Sequence, residues 1–302
     1  MLSENRNNYK TVSWNDHIYS VVNVLGFQFF IDFDKDKKII KDLETVINIL
    51  KDGKTELTPV EKMQLLRVYN VAYHDSGKIE GASSLDSSAH GCGFCAAMRE
   101  AAKNNPLHIC GMCYDFAQEN SYKGRNVLNR HSLNLLIMST VKFTIEELAT
   151  LPATELVRIN SSGDTENIIY ARNMIKYIYA HAYTKTAYWA KNTAPIIAAC
   201  KELGKPKNLI LVQSSHIIGH PAKLAEFFDY VFTVYVTKEA TEAAIKSGSC
   251  ACNGKKCAAC GYKCYKGLWP IGSNIAEFLR VDEKTRKTIV AYEAAKKARE
   301  GK

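Results

Sequence analysis

Between residues 155 and 248, apolar strand-like segments alternate with helix-like segments, and no other feature constrains the fold as strongly. The predicted strands are 155–160 (ELVRIN), 179–184 (YAHAYT), 208–213 (NLILVQ) and 230–236 (YVFTVYV). Nearly continuous apolar strands that are separated by helices form a parallel sheet covered by helices. The sequence therefore predicts an α/β fold, a partial or complete (β/α) barrel with parallel strands. An open doubly wound sheet is the alternative.

The first 75 residues have a different pattern, which predicts a small α+β N-terminal appendage. Residues 19–33 are rich in aromatic and β-branched side chains and predict strand structure bent at Gly26. Residues 38–50 have helical spacing, and Thr58 begins a capping box that predicts a second helix. We predict three parts: an appendage over 1–75, a cysteine-rich (β/α) barrel-like domain over 76–280 and a charged C-terminal helix over 281–302.

The net charge indicates which partners the chain suits. Lys and Arg number 40 against 31 Asp and Glu, so the formal net charge is +9. This sign favours a small-molecule or nucleotide-type anionic substrate, with nucleic acid as an alternative partner. The N-terminus lacks an apolar signal segment and no apolar run is long enough to span a bilayer, so we expect a cytoplasmic protein with no membrane partner.

Nine of the ten cysteines lie in two tight groups, which in a reducing compartment indicates metal ligands rather than disulfides. The first group consists of Cys92, Cys95, Cys110 and Cys113, two CxxC pairs separated by fourteen residues. In each pair, two thiolates from one turn of the chain can bind a metal ion, and the second pair supplies the other two ligands. Both structural zinc and an iron–sulfur cluster fit this spacing.

The second group holds more thiols than one tetrahedral zinc ion needs. Its predicted ligands are Cys252, Cys257, Cys260 and Cys264, and Cys250 is the spare thiol. The compact gaps favour an iron–sulfur cluster over zinc or a redox-active dithiol. Cys200 stands alone in an apolar helical pattern and is interpreted as a buried thiol.

Polar residues follow the predicted strands, and in parallel α/β folds the chemistry lies at the carboxyl ends of the strands. The candidates at these ends are Arg158, Asn160, Ser161, Ser162, Gly163, Asp164, Tyr183, Thr184, Lys185, Ser214 and Ser215.

Several sequence blocks occur in an order that resembles the phage gene product 88 family. They are GKIEGASSLDSS (77–88), CGFCAAM (92–98), ICGMCY (109–114), VRINSSGD (157–164), AYTK (182–185) and CNGKKCAACGYKCY (252–265). The resemblance covers roughly residues 77–270. Its layout is similar to that of radical S-adenosylmethionine enzymes with an auxiliary cluster, although their usual CxxxCxxC spacing is absent.

This resemblance implies an iron–sulfur enzyme with one or two 4Fe-4S clusters, S-adenosyl-L-methionine as a cofactor and a reductant protein as a partner. The early triplet corresponds to Cys95, Cys110 and Cys113, with Cys92 additional. The implied catalytic residues are Arg158 and Lys185, which would hold a carboxylate or phosphate, and Asp164, which would accept from hydroxyl or amino groups. The implied cofactor-binding residues are Ser161, Ser162, Gly163, Tyr183, Ser214 and Ser215. The alternatives are a zinc-stapled basic nucleic-acid-binding protein and an iron–sulfur electron-transfer protein.

Overall fold

The computed structural model describes residues 2, 4–5, 8–14, 17–51, 56–119, 125–252, 257–279 and 281–300. The strands are β1 Thr11–Trp14, β2 His17–Val24, β3 Phe27–Ile31, β4 Ala72–Tyr73, β5 Ala82–Leu85, β6 Leu156–Ile159, β7 Lys185–Ala190, β8 Leu209–Ser214, β9 Tyr230–Tyr235, β10 Cys250–Cys252 and β11 Asn274–Phe278. The helices are α1 Lys37–Leu50, α2 Pro59–Val68, α3 Gly93–Ala102, α4 Tyr114–Glu119, α5 Arg125–Thr140, α6 Ile145–Leu148, α7 Ile168–Ala180, α8 Ala194–Leu203, α9 Lys238–Lys246 and α10 Glu283–Glu300.

An eight-stranded, mostly parallel sheet forms the centre of the protein. Its strand order is β10-β11-β9-β8-β7-β6-β5-β4, so β5 to β9 lie side by side in chain order. Only the short β4–β5 pair is antiparallel. The predicted α/β class with parallel strands is therefore confirmed. The prediction of a complete barrel is not, because within the described residues β4 and β10 are free edges.

The predicted strand at 179–184 is wrong. Helix α7 continues to Ala180, and the strand β7 begins only at Lys185. Residues 179–180 instead continue α7, whose buried face recurs at helical spacing. Its buried residues include Tyr170, Met174, Ile175, Tyr177 and Ile178. The other three predicted strands match β6, β8 and β9.

The two faces of the sheet carry separate hydrophobic clusters. One cluster packs Val157, Ile159, Tyr188 and Leu211 against buried residues of α5, α7 and α8, and we call this the helix side. The other contains Leu156, Ala187 and Val212, which alternate with the first set along the same strands. On that face the covering residues come from the second cysteine segment and include Cys257, Cys264 and Tyr265.

The sheet curves toward this second face, which we call the concave face. Lys78, in the tight turn before β5, forms an ion pair of 3.0 Å with Glu277 on β11. Five strand-to-strand steps separate β5 from β11, which is about 24 Å in a flat sheet at about 4.8 Å per step. Two side chains do not easily bridge that distance, so the edges must bend toward each other.

The N-terminal elements form the predicted α+β arrangement. Strands β1 to β3 make a separate antiparallel sheet, and β2 turns into β3 at Leu25 and Gly26. The capping box that Thr58 and Glu61 form begins α2, as predicted. Asn129 of α5 exchanges two hydrogen bonds with the backbone of Phe30, so the small sheet is joined to the helix side of the main sheet.

The C-terminal segment forms the predicted charged helix, α10. None of the described helices combines the length and the apolar character that a membrane crossing needs.

One glycine sets how closely two loops of the main sheet approach. Gly163, in the loop after β6, has φ +75°, a value that favours glycine. A Cβ atom there would lie 2.2 Å from Ser87 Oγ and 2.4 Å from the Ser87 carbonyl oxygen, in the loop after β5. No side chain fits without separating the two loops.

We expect Gly163→Ala to destabilise the protein by about 3 kcal/mol or more, because the strained backbone adds to the collision with Ser87. The measurement is the free energy of unfolding from urea denaturation. Gly219→Ala is the matched control, since Gly219 has φ +74° but nothing within 4 Å of a Cβ position. Gly219→Ala should lower the free energy of unfolding by about 1 kcal/mol, which is the cost of the strained backbone conformation alone. Equal losses in both variants would show that the close approach contributes nothing.

Candidate metal and active site at the carboxyl edge of the sheet

Two buried carboxylates tie the carboxyl ends of β5, β6 and β7 together. Asp86, just after β5, accepts hydrogen bonds from the backbone N–H of Ser161 (2.8 Å) and Ser162 (3.1 Å) and from the Ser161 hydroxyl. Asp164, in the loop after β6, accepts from the backbone N–H of Lys191 (2.9 Å) and Asn192 (3.2 Å), just after β7. The polar residues of three strand ends therefore form one connected network.

The first cysteine segment lies across this edge. It begins at Cys92, the N-cap of α3, and Cys110 lies in a short 3₁₀ helix over Ile109–Met112. The N–H of Ile109 donates to the His216 carbonyl, just after β8, at 2.9 Å. The N–H of Ile218 donates back to the Leu107 carbonyl, also at 2.9 Å. The segment thus spans the edge from β5 to β8.

Three thiols of the first group lie near enough to Lys191 to influence its pKa. Burial lowers the pKa of Lys191, but Cys110, Asp164, Cys113 and Cys95 together raise it above its ordinary value. Conversely, burial raises the pKa of the Cys110 and Cys113 thiols, and Lys191 opposes that shift. A cation that stabilises thiolates therefore lies beside the three residues that the resemblance assigns to the early triplet.

Cys92 has a different environment. Its side chain is fully buried and belongs to the helix-side hydrophobic cluster together with Leu85 and Leu133. Its sulfur accepts the backbone N–H of Cys95 at 3.4 Å and so caps α3. Its hydrogen bond to Cys95, followed by burial, raises the pKa of the Cys95 thiol well above its usual value. Cys113 Sγ accepts the Phe116 N–H at 3.5 Å in the same way at the start of α4, so what distinguishes Cys92 is its complete burial among apolar side chains.

Two histidines and an acid complete the surroundings. Burial raises the pKa of Asp115, two residues after Cys113, to about 6. Burial lowers the pKa of His108 and His216, and nearby Lys191 adds to both shifts. Nδ1 of His216 is buried without a hydrogen-bond partner among the described residues. These groups make the edge polar although it is largely closed to solvent.

Glu119, at the end of α4, holds the turn that leads into Cys92. Its buried carboxylate accepts from the Ser88 hydroxyl (3.1 Å) and from the backbone N–H of Ala89 (3.2 Å) and His90 (2.8 Å). It also contacts Nδ1 of His131 at 3.1 Å, and this hydrogen bond raises the pKa of His131 against the opposing effect of burial. One carboxylate thus fixes the entry to the first cysteine segment.

The second cysteine group lies on the concave face. Cys257, Cys264 and the partly buried Cys252 belong to one hydrophobic cluster there, and Cys260 Sγ contacts the Cys257 carbonyl at 3.2 Å. Burial raises the pKa of Cys264 to about 12; Arg158 opposes the shift, and the thiols of Cys257, Cys252 and Cys260 add to it. The four predicted ligands are therefore neighbours. Residues 253–256 between them lie outside the described residues.

Arg158 faces this second group and not the carboxyl edge. Its register partners on β5 and β7 are Ser84 and Ala187, which place its side chain on the concave face. The guanidinium carbon lies 4.0 Å from the ring centre of Trp189. Asp164, which the sequence grouped with Arg158, instead uses both carboxylate oxygens on backbone N–H groups.

Three other predicted site residues lie at the wrong edge. Tyr183, Thr184 and Lys185 precede or begin β7, so they occupy the amino edge of the sheet, away from the first cysteine group. The cause is the misplaced strand at 179–184, which predicted them as a strand's carboxyl end. Thr184 has a local structural role there, since its hydroxyl donates to the His181 carbonyl at 2.9 Å.

The remaining predicted residues lie at the carboxyl edge, where some have structural contacts. Ser161 and Ser162 bind Asp86, and Gly163 packs on Ser87. Ser215 shares a hydrogen bond of 3.0 Å with Thr233, and Ser214 ends β8 with its side chain on the concave face, in register with Phe232. Their role in cofactor binding stays a prediction.

The sequence analysis missed Lys191, Asp86 and Glu119. Lys191 directly follows β7, so a correct strand boundary would have identified it as a strand-end residue. Asp86 has a weaker signal, because it lies in a Gly- and Ser-rich stretch whose composition is typical of a loop, although β5 crosses it. No local pattern marks Glu119, whose partners lie about thirty residues away.

The thiols of each group are not arranged around a single ion. Among the described residues, no three side chains of His, Cys, Asp or Glu lie close enough together to hold one metal ion. Comparisons of this chain with models of protein families, with curated proteins and with solved structures gave no match. The resemblance to the phage gene product 88 family therefore stays a prediction from the sequence blocks.

We expect Glu119→Gln to lower the free energy of unfolding by about 2–3 kcal/mol. One carboxylate oxygen becomes an NH₂ group, which cannot accept the hydrogen bonds that the backbone N–H groups now donate to it. Chemical denaturation measures this loss. Glu100→Gln is the control, since Glu100 is exposed and only pairs with Lys103 on the surface, and it should cost less than about 0.5 kcal/mol. A change as small in Glu119→Gln would contradict the role assigned to this carboxylate.

Proposed function

We propose that this protein is an iron–sulfur enzyme of the radical S-adenosylmethionine type. Cys95, Cys110 and Cys113 would hold a 4Fe-4S cluster at the carboxyl edge. Cys252, Cys257, Cys260 and Cys264 would hold an auxiliary cluster on the concave face. The observation that carries the proposal is the position of the first cysteine segment at the carboxyl edge of the sheet, where the Ile109 N–H donates to the His216 carbonyl at 2.9 Å and where Cys95, Cys110 and Cys113 raise the pKa of Lys191.

The chemistry of the donors supports a cluster in each place. A single zinc ion draws four thiolates into a small tetrahedron, whereas a four-iron cluster separates its thiolates more widely. Among the described residues no three of these side chains lie close enough to hold one metal ion, so the preference for clusters rests on the compact cysteine spacing of the second group. Clusters bound to thiolates carry negative charge, and a cation lies beside each group, Lys191 at the first and Arg158 at the second.

The burial of Cys92 supports a three-thiolate site. Its sulfur caps α3 and packs among apolar side chains, so it would have to leave the core to become a fourth ligand. Three protein ligands leave one iron of the cluster accessible, and that iron would supply the electron that cleaves S-adenosylmethionine. The location agrees with the general rule that parallel α/β folds bind ligands at the carboxyl ends of their strands.

The chain's own residues would bind and orient the reactants. Lys191 would offset the charge of the thiolates, and Asp164 fixes Lys191 by accepting its backbone N–H. Asp86 holds the loop with Ser161 and Ser162 in place at the same edge. The curved sheet supports a partial (β/α) barrel, whose concave face would exclude water from the reaction.

The first test measures iron, sulfide and zinc per chain after anaerobic purification. We expect brown protein and a loss of about four iron atoms in Cys110→Ala, because one of three ligands is removed. Cys92→Ala should keep its iron and lose only stability. Cys200→Ala is the matched control, since Cys200 is another buried thiol that lies in neither group.

The outcomes separate the alternatives. Equal iron loss in Cys92→Ala and Cys110→Ala would indicate a closed four-thiolate site. Colourless protein that carries zinc would overturn the proposal and favour the zinc-stapled alternative.

The second test separates an enzyme from an electron-transfer protein. We expect S-adenosylmethionine to change the electron paramagnetic resonance spectrum of the reduced protein, because the accessible iron would bind the cofactor's amino and carboxylate groups. Cys92→Ala should show the same change and Cys110→Ala should not. An unchanged spectrum in protein with full iron content would favour electron transfer instead.

A further inference from the structure

Three buried hydrogen-bond donors on the concave face have no partner among the described residues. They are Nε of Arg158, Nε1 of Trp189 and the hydroxyl of Tyr265. The side chain of Tyr265 is only 2% exposed. Buried polar groups in proteins are nearly always hydrogen-bonded, and an unsatisfied one is costly. Three such donors in one region indicate an acceptor that the described residues do not supply.

The three side chains are neighbours. The guanidinium of Arg158 stacks on the Trp189 ring, with 4.0 Å from its carbon to the ring centre. Tyr265 lies next to Arg158, whose charge and, to a smaller extent, hydrogen bonding to the tyrosine oppose the effect of burial on its pKa, so the Tyr265 hydroxyl can accept from the guanidinium and still donate to a ligand. Trp189 packs against Phe232 at 4.8 Å between ring centres, which fixes the indole on the concave face.

The chemistry of this set selects the ligand. Arginine and the indole N–H only donate hydrogen bonds, and the tyrosine hydroxyl can donate. A carboxylate or a phosphate only accepts hydrogen bonds and carries negative charge. Such a group can accept from all three donors and can balance the positive charge of the guanidinium. Asp164, the acid that the sequence placed nearest, is already bonded to backbone N–H groups.

The position of the donors relates them to both cysteine groups. Trp189 lies two residues before Lys191, which directly follows β7 at the carboxyl edge and lies beside the first group. Arg158 influences the thiols of Cys257 and Cys264 in the second group. The donors therefore lie between the two sets of thiols.

We propose that the concave face between the two cysteine groups binds a ligand through an anionic carboxylate or phosphate, held by Arg158, Trp189 and Tyr265. That this ligand is the enzyme's substrate rests on the proposed function, but the binding itself requires no cluster. Iron content is measured in the same samples, so failure of the iron–sulfur assignment and failure of anion binding are separate results.

The test follows the indole N–H signals of the ¹⁵N-labelled full-length protein. The chain has three tryptophans, Trp14, Trp189 and Trp269, and Trp189→Phe assigns the signal of interest. Inorganic phosphate and succinate are the probes, each compared with sodium chloride at equal ionic strength. We expect one or both probes to shift the Trp189 signal saturably, and the difference between them identifies phosphate or carboxylate as the preferred group.

Arg158→Gln should weaken probe binding by at least about tenfold, because a charge-assisted contact is lost. Arg172→Gln is the matched control, since Arg172 pairs with Glu202 at the surface of α7, and it should leave binding unchanged. Should Arg158→Gln fail to fold, Tyr265→Phe removes a single hydroxyl and should still weaken binding severalfold.

Three results would overturn the proposal. They are no shift with either probe, an equal shift with sodium chloride, and unchanged binding in both Arg158→Gln and Tyr265→Phe. If wild-type protein binds neither probe while Arg158→Gln loses iron, Arg158 serves the thiolates of the second group and not a separate anion.

Discussion

The hydrogen bonds of Asp86 and Asp164 connect the ends of three adjacent strands, and the geometry of the first cysteine group depends on them. A carboxylate is costly to bury, and burial raises the pKa of Asp164 despite the influence of Lys191 and three backbone N–H groups. That cost is tolerable because each acid satisfies several donors. Asp86 joins β5 to the loop after β6, and Asp164 joins that loop to the residues after β7. These hydrogen bonds fix the positions of the polar loops at the edge relative to one another.

The distribution of positive charge follows from the same framework. Lys191 is held by its backbone at the edge, and Arg158 is placed by its position in β6 on the concave face. A buried cation needs a negative partner. The first cation has Asp164 and three thiols nearby, whereas the second has thiols and a tryptophan ring, with Nε unsatisfied. The two positions therefore differ in their surroundings: a carboxylate, Asp164, lies beside the first cation, whereas thiols and an aromatic ring lie beside the second.

Local signals in the sequence predicted the elements that local interactions determine. The capping box at Thr58 begins a helix as expected, and the bend at Gly26 is a hairpin turn. Elements that tertiary contacts determine were missed. Strand β5 has the sequence ASSL, and its serines are buried because Ser84 contacts His74 and Asp86, while Ser83 exchanges hydrogen bonds with Thr154. Composition alone indicated a loop there, since the partners that make serine acceptable in a buried strand are distant in the chain.

The same reasoning explains which parts of the site were predictable. Cysteine spacing identified both thiol groups, because metal-binding chemistry requires ligands that are close in sequence. The cations and carboxylates that surround the thiols come from other strands, and only the parallel register brings them there. Beginning β7 at Lys185 and not at Tyr179 moves Lys185 to the amino edge and brings Lys191 to the carboxyl edge. The identity of the residue that faces the thiols therefore depends on a strand boundary, and that boundary is set by the packing of α7 against the sheet and not by the propensity of its residues.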